Sequence, residues 1–362
     1  MQHGTRRRQA MSSAQKSGAQ ALLATHAPDV RYLSGFTGSN GAVALAGSRA
    51  SLFTDGRYTT QAKAETSGMR IHVDKGSAAV RAAQWLVAQG VTACAYDASH
   101  TTVTELDALR KAVPGKLRRK FFVAADGLVA KLREIKDADE LAIMRRSAAL
   151  GCRLFDGVLQ HIVPGATEVQ VTAHLEFQAR LAGAEAMSFE TIAAGGERSA
   201  LPHGHATRAK LPKRGFLTLD FGVVLDGYCS DMTRTVHLGK ASQQEWDVYH
   251  SVLEAQQAAV AVVRPGITCG EVDEAARSVL RRAKLEKAFS HSTGHGVGLE
   301  IHEGPRVAAK QQQVLESGMV ITIEPGAYLP GKFGVRIEDM VRVTARGGEV
   351  LTAASPKAWI EL

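Results

Sequence analysis

Long apolar runs are missing from this chain: no window approaches the roughly eighteen consecutive hydrophobic residues that a membrane span demands. A secretory leader is missing as well, because Met1 to Gly18 is polar, carries Arg6-Arg7-Arg8 and has no apolar centre. The two absences point to a cytoplasmic protein with no membrane partner. Residues 1–18 read as a disordered leader, within which Met11 offers an alternative start. Cysteine is scarce: Cys94, Cys152, Cys229 and Cys269 are scattered, with no pair at metal-binding spacing. That excludes a disulfide scaffold and a thiolate zinc site and leaves reduced thiols. Aromatic residues make up only 6% of the chain, and none interleaves the basic clusters Arg6 to Arg8, Lys116 to Lys120 and Arg281-Arg282. The net charge of +8 therefore reads as a solvated basic face, since a nucleic-acid surface needs rings on which bases stack.

What is present is ordinary globular sequence, 362 residues with 45% hydrophobic and 22% charged, enough for two domains with separate cores. Ala42 to Ala46 and Ala50 to Thr54 alternate as strands joined at Gly47-Ser48-Arg49. Arg57 to Glu65 and Ala78 to Gln89 carry helical patterns, the second stopped by Gly90, and Val91 to Tyr96 is a further strand. Strands alternating with helices predict a small α/β domain over residues 19–127. A long charged helix is expected from Leu132 to Ala149, opening a second domain over residues 128–362. Within it, Val163-Pro164-Gly165-Ala166-Thr167 with Gln170 is echoed by Arg264-Pro265-Gly266-Ile267-Thr268 with Glu271. Each is a Pro-Gly stop followed by a capping box that starts the next helix. Ser242 and Glu245 form a third such box. The echo predicts two related α+β halves around one pocket.

Five side chains then stand out: Asp220, Asp231, His295, Glu324 and Glu338. Two of the acids interrupt apolar strands, Leu217-Thr218-Leu219-Asp220-Phe221 and Val320-Ile321-Thr322-Ile323-Glu324. A carboxylate buried in such a run must be paired or bound to metal. Asp226-Gly227 is a two-residue hairpin signal, and with Leu225 opposite Tyr228 it sets Asp231 opposite Gly222. Asp220 and Asp231 then share one face as diagonal neighbours. Gly222 leaves room for their side chains to converge. Glu338 lies in the alternating run Val335 to Val343, with Arg336 on its face. His295 sits in Ser292-Thr293-Gly294-His295-Gly296-Val297-Gly298, where the glycines would let backbone approach a ligand. Four carboxylates and one imidazole suit two divalent cations in a hydrolytic centre.

In order and spacing, four segments resemble the signatures of the pita-bread metallopeptidases (creatinase/aminopeptidase-like). They are Leu219-Asp220-Phe221-Gly222 through Ser230-Asp231-Met232-Thr233-Arg234-Thr235; His291 through Leu299 with Ile301-His302-Glu303; Thr322-Ile323-Glu324-Pro325-Gly326; and Val335-Arg336-Ile337-Glu338-Asp339. The N-terminal half, with Val30 to Ser39 and Leu52 to Tyr58, is similar to the domain that precedes the catalytic domain in Xaa-Pro peptidases. The resemblance implies an α+β pita-bread domain behind a smaller α/β domain, and a homodimer. It implies a two-metal Xaa-Pro peptidase acting on dipeptides or short peptides, with manganese favoured and cobalt or zinc as alternatives. The prolidase (dipeptidase) branch is preferred, with aminopeptidase P as the alternative and a non-catalytic binding member of the fold behind both.

The resemblance also assigns roles. Asp220, Asp231, His295, Glu324 and Glu338 become the metal ligands, and Glu324 also moves the proton. His203, in Leu201-Pro202-His203-Gly204, would stabilise the tetrahedral intermediate, although His205 two residues on leaves that choice ambiguous. His302 would lie near the substrate carbonyl, His291 would line the pocket, and Arg336 would bond near the substrate and the carboxylates. Arg49 or Arg57 is the candidate partner for a dipeptide's free carboxylate, because a guanidinium fits a carboxylate with two parallel bonds.

Overall fold

A computed structural model describes residues 2–362, which divide into two compact units, one ending at Arg133 and the other beginning at Glu134. The N-terminal unit runs α1 (His3–Lys16), β1 (Ala21–Ala24), α2 (Ala27–Ser34), β2 (Gly41–Ala46), β3 (Arg49–Thr54), α3 (Thr59–Glu65), β4 (Arg70–Val73), α4 (Ala78–Ala88), β5 (Cys94–Asp97), α5 (Val103–Ala112), β6 (Phe122–Ala125) and α6 (Ala130–Arg133). Its six-stranded sheet has the order β4-β3-β2-β1-β5-β6. The expected β2–β3 hairpin is antiparallel, whereas β5 lies parallel to β1 and β6. Leu23, Phe53, Leu86 and Phe121 pack in its core, each side chain contributing about 1.5–3 kcal/mol when fully buried.

The disordered leader expected over residues 1–18 is not what residues 2–18 form; Met1 lies outside the described residues. Residues 3–16 form α1, which buries Arg6, Ala10, Met11 and Ala14 along one stripe. Small side chains let this helix sit close, and Arg6 buries its stem while its guanidinium donates to Tyr32 O at 3.2 Å and stacks on the Tyr32 ring. Arginine counted as a solvated charge hides that packing.

The helix expected from Leu132 to Ala149 is also two pieces. Ile135 bridges to Met319, Lys136 N donates to Gly318 O, and α7 (Ala138–Val158) starts afresh from an Asp137–Glu140 capping box. After α7 come α8 (Glu168–Leu181), β7 (Ala186–Met187), β8 (Ile192–Gly195), β9 (Gly215–Phe221), β10 (Val223–Leu225), β11 (Tyr228–Cys229), β12 (Met232–Leu238), α9 (Gln243–Val262), α10 (Cys269–Arg282), β13 (Gly294–Gly296), β14 (Glu303–Val307), β15 (Val320–Ile323), β16 (Gly326–Leu329), β17 (Phe333–Arg336), β18 (Asp339–Thr344) and β19 (Gly347–Val350).

This unit repeats one plan. In the first half α7 and α8 accompany the sheet β12-β9-β8; in the second, α9 and α10 accompany β14-β13-β15-β18-β19. All three expected capping boxes are formed. The echo extends to single bonds: Leu211 N donates to Ala166 O, and Leu315 N to Ile267 O, both at 2.8 Å. Separate apolar cores fill the halves, around Phe155, Leu175 and Leu219 in one and Val252, Leu280 and Ile321 in the other. Among the described residues no helix is long and apolar enough to cross a membrane.

Candidate metal centre

The hairpin at Asp226-Gly227 supplies the first two acids. Both turn residues have positive φ, 44° and 74°, the turn whose twist suits a two-residue hairpin. Leu225 pairs with Tyr228, and the same register continues through Met232–Phe221 and Thr233–Asp220. Asp220 and Asp231 therefore lie on one face. Gly222 serves a different purpose from the one expected. A Cβ there would fall 1.8 Å from Ser230 O, so the glycine admits backbone rather than side chains. The same holds at Gly294 and Gly296, where a Cβ would meet Thr322 O and Gly304 O at 1.9 Å. Gly294 and Gly296 thereby let three strands close up around His295.

The other acids come from strand ends. Glu324 follows β15, its N–H donating to Thr293 O at 2.8 Å. The run Val335 to Val343 is two strands in different sheets, and Glu338 sits at the break between β17 and β18. There the halves meet: Glu338 N donates to Thr233 O at 3.1 Å, and Thr235 Oγ1 donates to Arg336 O at 2.8 Å. Arg234, fully buried, donates to the carbonyls of Glu338, Thr233 and Ser355 and to Asp339 Oδ1. Those bonds fix the chain on both sides of Glu338.

All five candidates converge. Ligand atoms of Asp231, His295 and Glu338 lie within 4.8 Å of one another. His295 Nε2 is 3.6 Å from Asp231 Oδ2 and 3.5 Å from Glu324 Oε1, and Asp220 Oδ2 accepts from Arg336 Nη2 at 2.6 Å. His295 Nδ1 is 3.0 Å from Gly296 O. A carbonyl can only accept, so Nδ1 carries the proton and Nε2 turns a lone pair toward two carboxylates. Burial holds His295 down at about 4, so the ring is neutral. Asp220 Oδ1 is buried with no hydrogen-bond partner among the described residues. Burial, reinforced by the charges of its acidic neighbours, pushes Asp231 and Glu338 well above the usual carboxylate range. Glu324 is pushed up to about 8, by burial first and then by the Asp220 charge. Four acids and a lone pair face one another with a single guanidinium among them. Such a donor set fits divalent cations, which supply the missing positive charge.

The remaining candidates surround a cavity of about 580 Å³ lined by the ligand set together with His203, His291, His302 and Arg336. His302 packs edge-on to His295 with ring centroids 4.4 Å apart. His203 and His205 both line the cavity, but His205 faces Glu190 at 3.2 Å. Arg336 Nη1 donates to Tyr328 Oη at 2.7 Å, which leaves the phenol hydrogen for His291 Nε2 at 2.9 Å. Burial lowers His291 to about 4, so its ring accepts that hydrogen as a neutral base. From α10, Asp273 accepts from Thr293 and from Arg277, and Arg277 Nη2 donates to His291 O at 2.6 Å. The helix thereby fixes the loop that carries both histidines.

Sequence reasoning passed over several of these groups. Thr233, two residues after Asp231 and so on its face, donates to Glu338 Oε2 at 2.8 Å; strand alternation was the one signal that could have found it. Tyr328, Asp273 and Arg277 gave no local signal. Of the arginines considered for a substrate carboxylate, Arg57 pairs with Asp55 at 2.8 Å and Arg49 donates to Gln89. The cavity holds its own arginine, Arg306, opposite His295 across the β13–β14 pair.

The model of metallopeptidase family M24 matches residues 142–345. This chain belongs to metallopeptidase family M24. The creatinase/prolidase N-terminal domain matches residues 6–135, so both units are accounted for. A solved Xaa-Pro dipeptidase from Bacillus anthracis is 38% identical to this M24 chain, covers 99% of it and 100% of itself, and superposes with a TM-score of 0.95. A curated Xaa-Pro dipeptidase of Pyrococcus horikoshii is 34% identical over 93% of both chains. The solved X-Pro aminopeptidase from Thermotoga maritima MSB8 is 33% identical, covers 97% of this chain and 100% of that one, and has a TM-score of 0.89.

Proposed function

We propose that this M24 protein is an Xaa-Pro dipeptidase, a prolidase that hydrolyses the bond between an N-terminal residue and a following proline with two divalent cations. Asp220, Asp231, His295, Glu324 and Glu338 would hold them. The observation that carries the reading is the His295 Nε2 lone pair directed at two carboxylates, beside the unpartnered Asp220 Oδ1. When bound, the cations supply Lewis acidity and make water acidic enough to attack near neutral pH. The oxygen-rich set favours manganese, with cobalt or zinc also accommodated.

The protein's own groups do the rest. Glu324 takes the proton of the attacking water and returns it to the proline nitrogen. His203 donates to the carbonyl oxygen as charge builds on it, with His302 beside it. Arg336, held by Tyr328 and Thr233, keeps Asp220 in one orientation. An Xaa-Pro bond has no N–H to recognise, and the apolar side chains of Phe189, Ile192, Pro202 and Ile301 suit the proline ring instead. Arg306 favours the dipeptidase over the aminopeptidase. It makes no ion pair among the described residues, and a guanidinium beside the ring is the natural partner for the proline carboxylate. Four free, buried cysteines suit a reducing cytoplasm, and a homodimer is the assembly that the family resemblance implies.

The test is turnover of Ala-Pro, Ala-Pro-Ala and Met-Ala-Ala by metal-stripped protein reloaded with manganese. Hydrolysis of Ala-Pro alone is the expected result. Efficient cleavage of Ala-Pro-Ala transfers the protein to the aminopeptidase branch, and preference for Met-Ala-Ala removes the Xaa-Pro reading.

A further inference from the structure

The Arg6-Arg7-Arg8 cluster is spent on nothing in the reaction above. Arg6 is buried in the packing of α1, but Arg7 and Arg8 turn outward into a cavity of about 400 Å³ between α1 and the β2–β3 turn. Arg49, the first residue of β3, enters the same cavity. Among the described residues no aspartate or glutamate lines it. Among the described residues the three guanidiniums bond neutral acceptors: Arg7 donates to Leu33 O at 3.0 Å and Gly68 O at 3.2 Å, Arg8 to Thr5 Oγ1 at 2.9 Å, and Arg49 to Gln89 Oε1. A guanidinium carries five N–H donors, so the bonds these three arginines make leave most of their donor capacity available to an anion in the cavity. Arg7 and Arg8 stand close enough for the charge of Arg8 to add to burial in depressing Arg7. Like charges drawn into one concavity, without a carboxylate to separate them, leave a site that an anion would stabilise.

The remaining walls narrow the class of anion. Ser12 and Ser48 add hydroxyls that bond no other group among the described residues, while Met11 supplies an apolar floor. Among the described residues no aromatic ring lines the cavity to stack a base, and a nucleic acid is a poor occupant. The volume is at the small end of ligand pockets. We propose that this groove of the N-terminal unit binds a small aliphatic phosphate monoester, its phosphate held by Arg7, Arg8 and Arg49.

Calorimetric titration of the metal-loaded protein with glycerol phosphate, and separately with succinate, tests this. Glycerol phosphate should saturate one site per chain and bind more tightly than succinate. Arg8→Ala and Arg49→Ala, both at exposed positions, should each weaken it at least tenfold. Arg119→Ala, in the other basic cluster of the same unit, should change nothing. If an alanine variant melts early, Arg8→Lys and Arg49→Lys replace it with a similar loss expected, because an ammonium cannot span two phosphate oxygens. No saturation by the native chain, or tighter binding of succinate, overturns the proposal. So does equal affinity in the arginine variants, which would place the ligand on the metals or elsewhere.

Discussion

In the first half of the C-terminal unit, Thr167 and Gln170 cap α8, and Leu217-Thr218-Leu219 runs out into Asp220. In the second, Thr268 and Glu271 cap α10, and Ile321-Thr322-Ile323 runs out into Glu324. The plan is shared and the chemistry is not. The first half offers short acids locked in one hairpin register, while the second offers longer acids beyond its strand ends, plus His295. The counter-charge is exchanged as well, since Arg336 belongs to the second half and bonds Asp220 of the first. The halves also differ at the first residue of the capped helix. Glu168 is buried there and accepts from Gly195 N, Arg198 Nε and Thr207, whereas its counterpart Cys269 is a buried thiol without an ionic partner. Arg198 goes on to donate to His205 O, so the first half ties its loop of histidines through Glu168, and the second ties its own through Asp273. One repeated frame thus carries two different ways of fixing a loop of histidines.

If both halves build one centre, removing an acid from either should have the same consequence. Asp231→Ala in the first half and Glu338→Ala in the second should each lower turnover of Ala-Pro by about 10³-fold or more and reduce bound metal below two per chain. Thr233→Val, which removes only the hydroxyl that donates to Glu338, should weaken metal binding about 10–100-fold. Metal analysis beside turnover reads both effects. Full metal content in Asp231→Ala would separate the halves and sink the shared centre.

The two equivalent helix-start positions should fail unequally. Glu168→Ala strands several buried donors and should cost about 3 kcal/mol in urea unfolding, with a raised KM as the His203 loop loosens. Cys269→Ala removes one sulfur from an apolar site and should cost about 1 kcal/mol with unchanged kinetics. Equal losses at the two positions would mean that the Glu168 network is decoration on the packing.

Much of this centre was legible in the sequence because strand arithmetic is rigid. Once Asp226-Gly227 fixes the turn, the facing of Asp220 and Asp231 follows, and an acid inside an apolar run has to be paired or bound to metal. The repeat was legible because a Pro-Gly stop and a Thr-x-x-Gln or Thr-x-x-Glu box are local signals. The N-terminal helix was not, since burial of Arg6 depends on Tyr32, far along the chain. Nor was the break at Glu338: alternation from Val335 to Val343 cannot say that a strand changes sheets, which is decided by Thr233 and Thr235 on another hairpin. Arg306, Tyr328 and Asp273 stayed hidden for the same reason, as their roles exist only once distant strands are side by side.

The cavity sharpens the asymmetry, because the second half contributes Arg306, which makes no ion pair among the described residues. Arg306→Ala should raise KM for Ala-Pro about tenfold, the order expected for one charge-assisted pair, and leave kcat much less affected. Arg57→Ala, whose guanidinium is taken up by Asp55, should leave KM where it was. A KM that moves with Arg57 and not with Arg306 would return the carboxylate site to the N-terminal unit.

The smallest difference lies in the caps. Gln170 does not titrate, but hydrogen bonds from Thr268 hold the Glu271 carboxyl below its ordinary 4.5. A depressed folded-state value stabilises fully above the unfolded one and is lost as pH falls through the folded one. The second half's cap should therefore weaken below about pH 4.5 while the first half's does not. Urea midpoints measured from pH 5.5 down to 3 read this directly. Glu271→Gln should flatten a small part of the acid-side slope, and Gln170→Glu should add a matching part. The site is solvent-exposed, so the changes should also shrink in high salt. If Glu271→Gln leaves the slope untouched, the two caps are equivalent and this difference between the halves disappears.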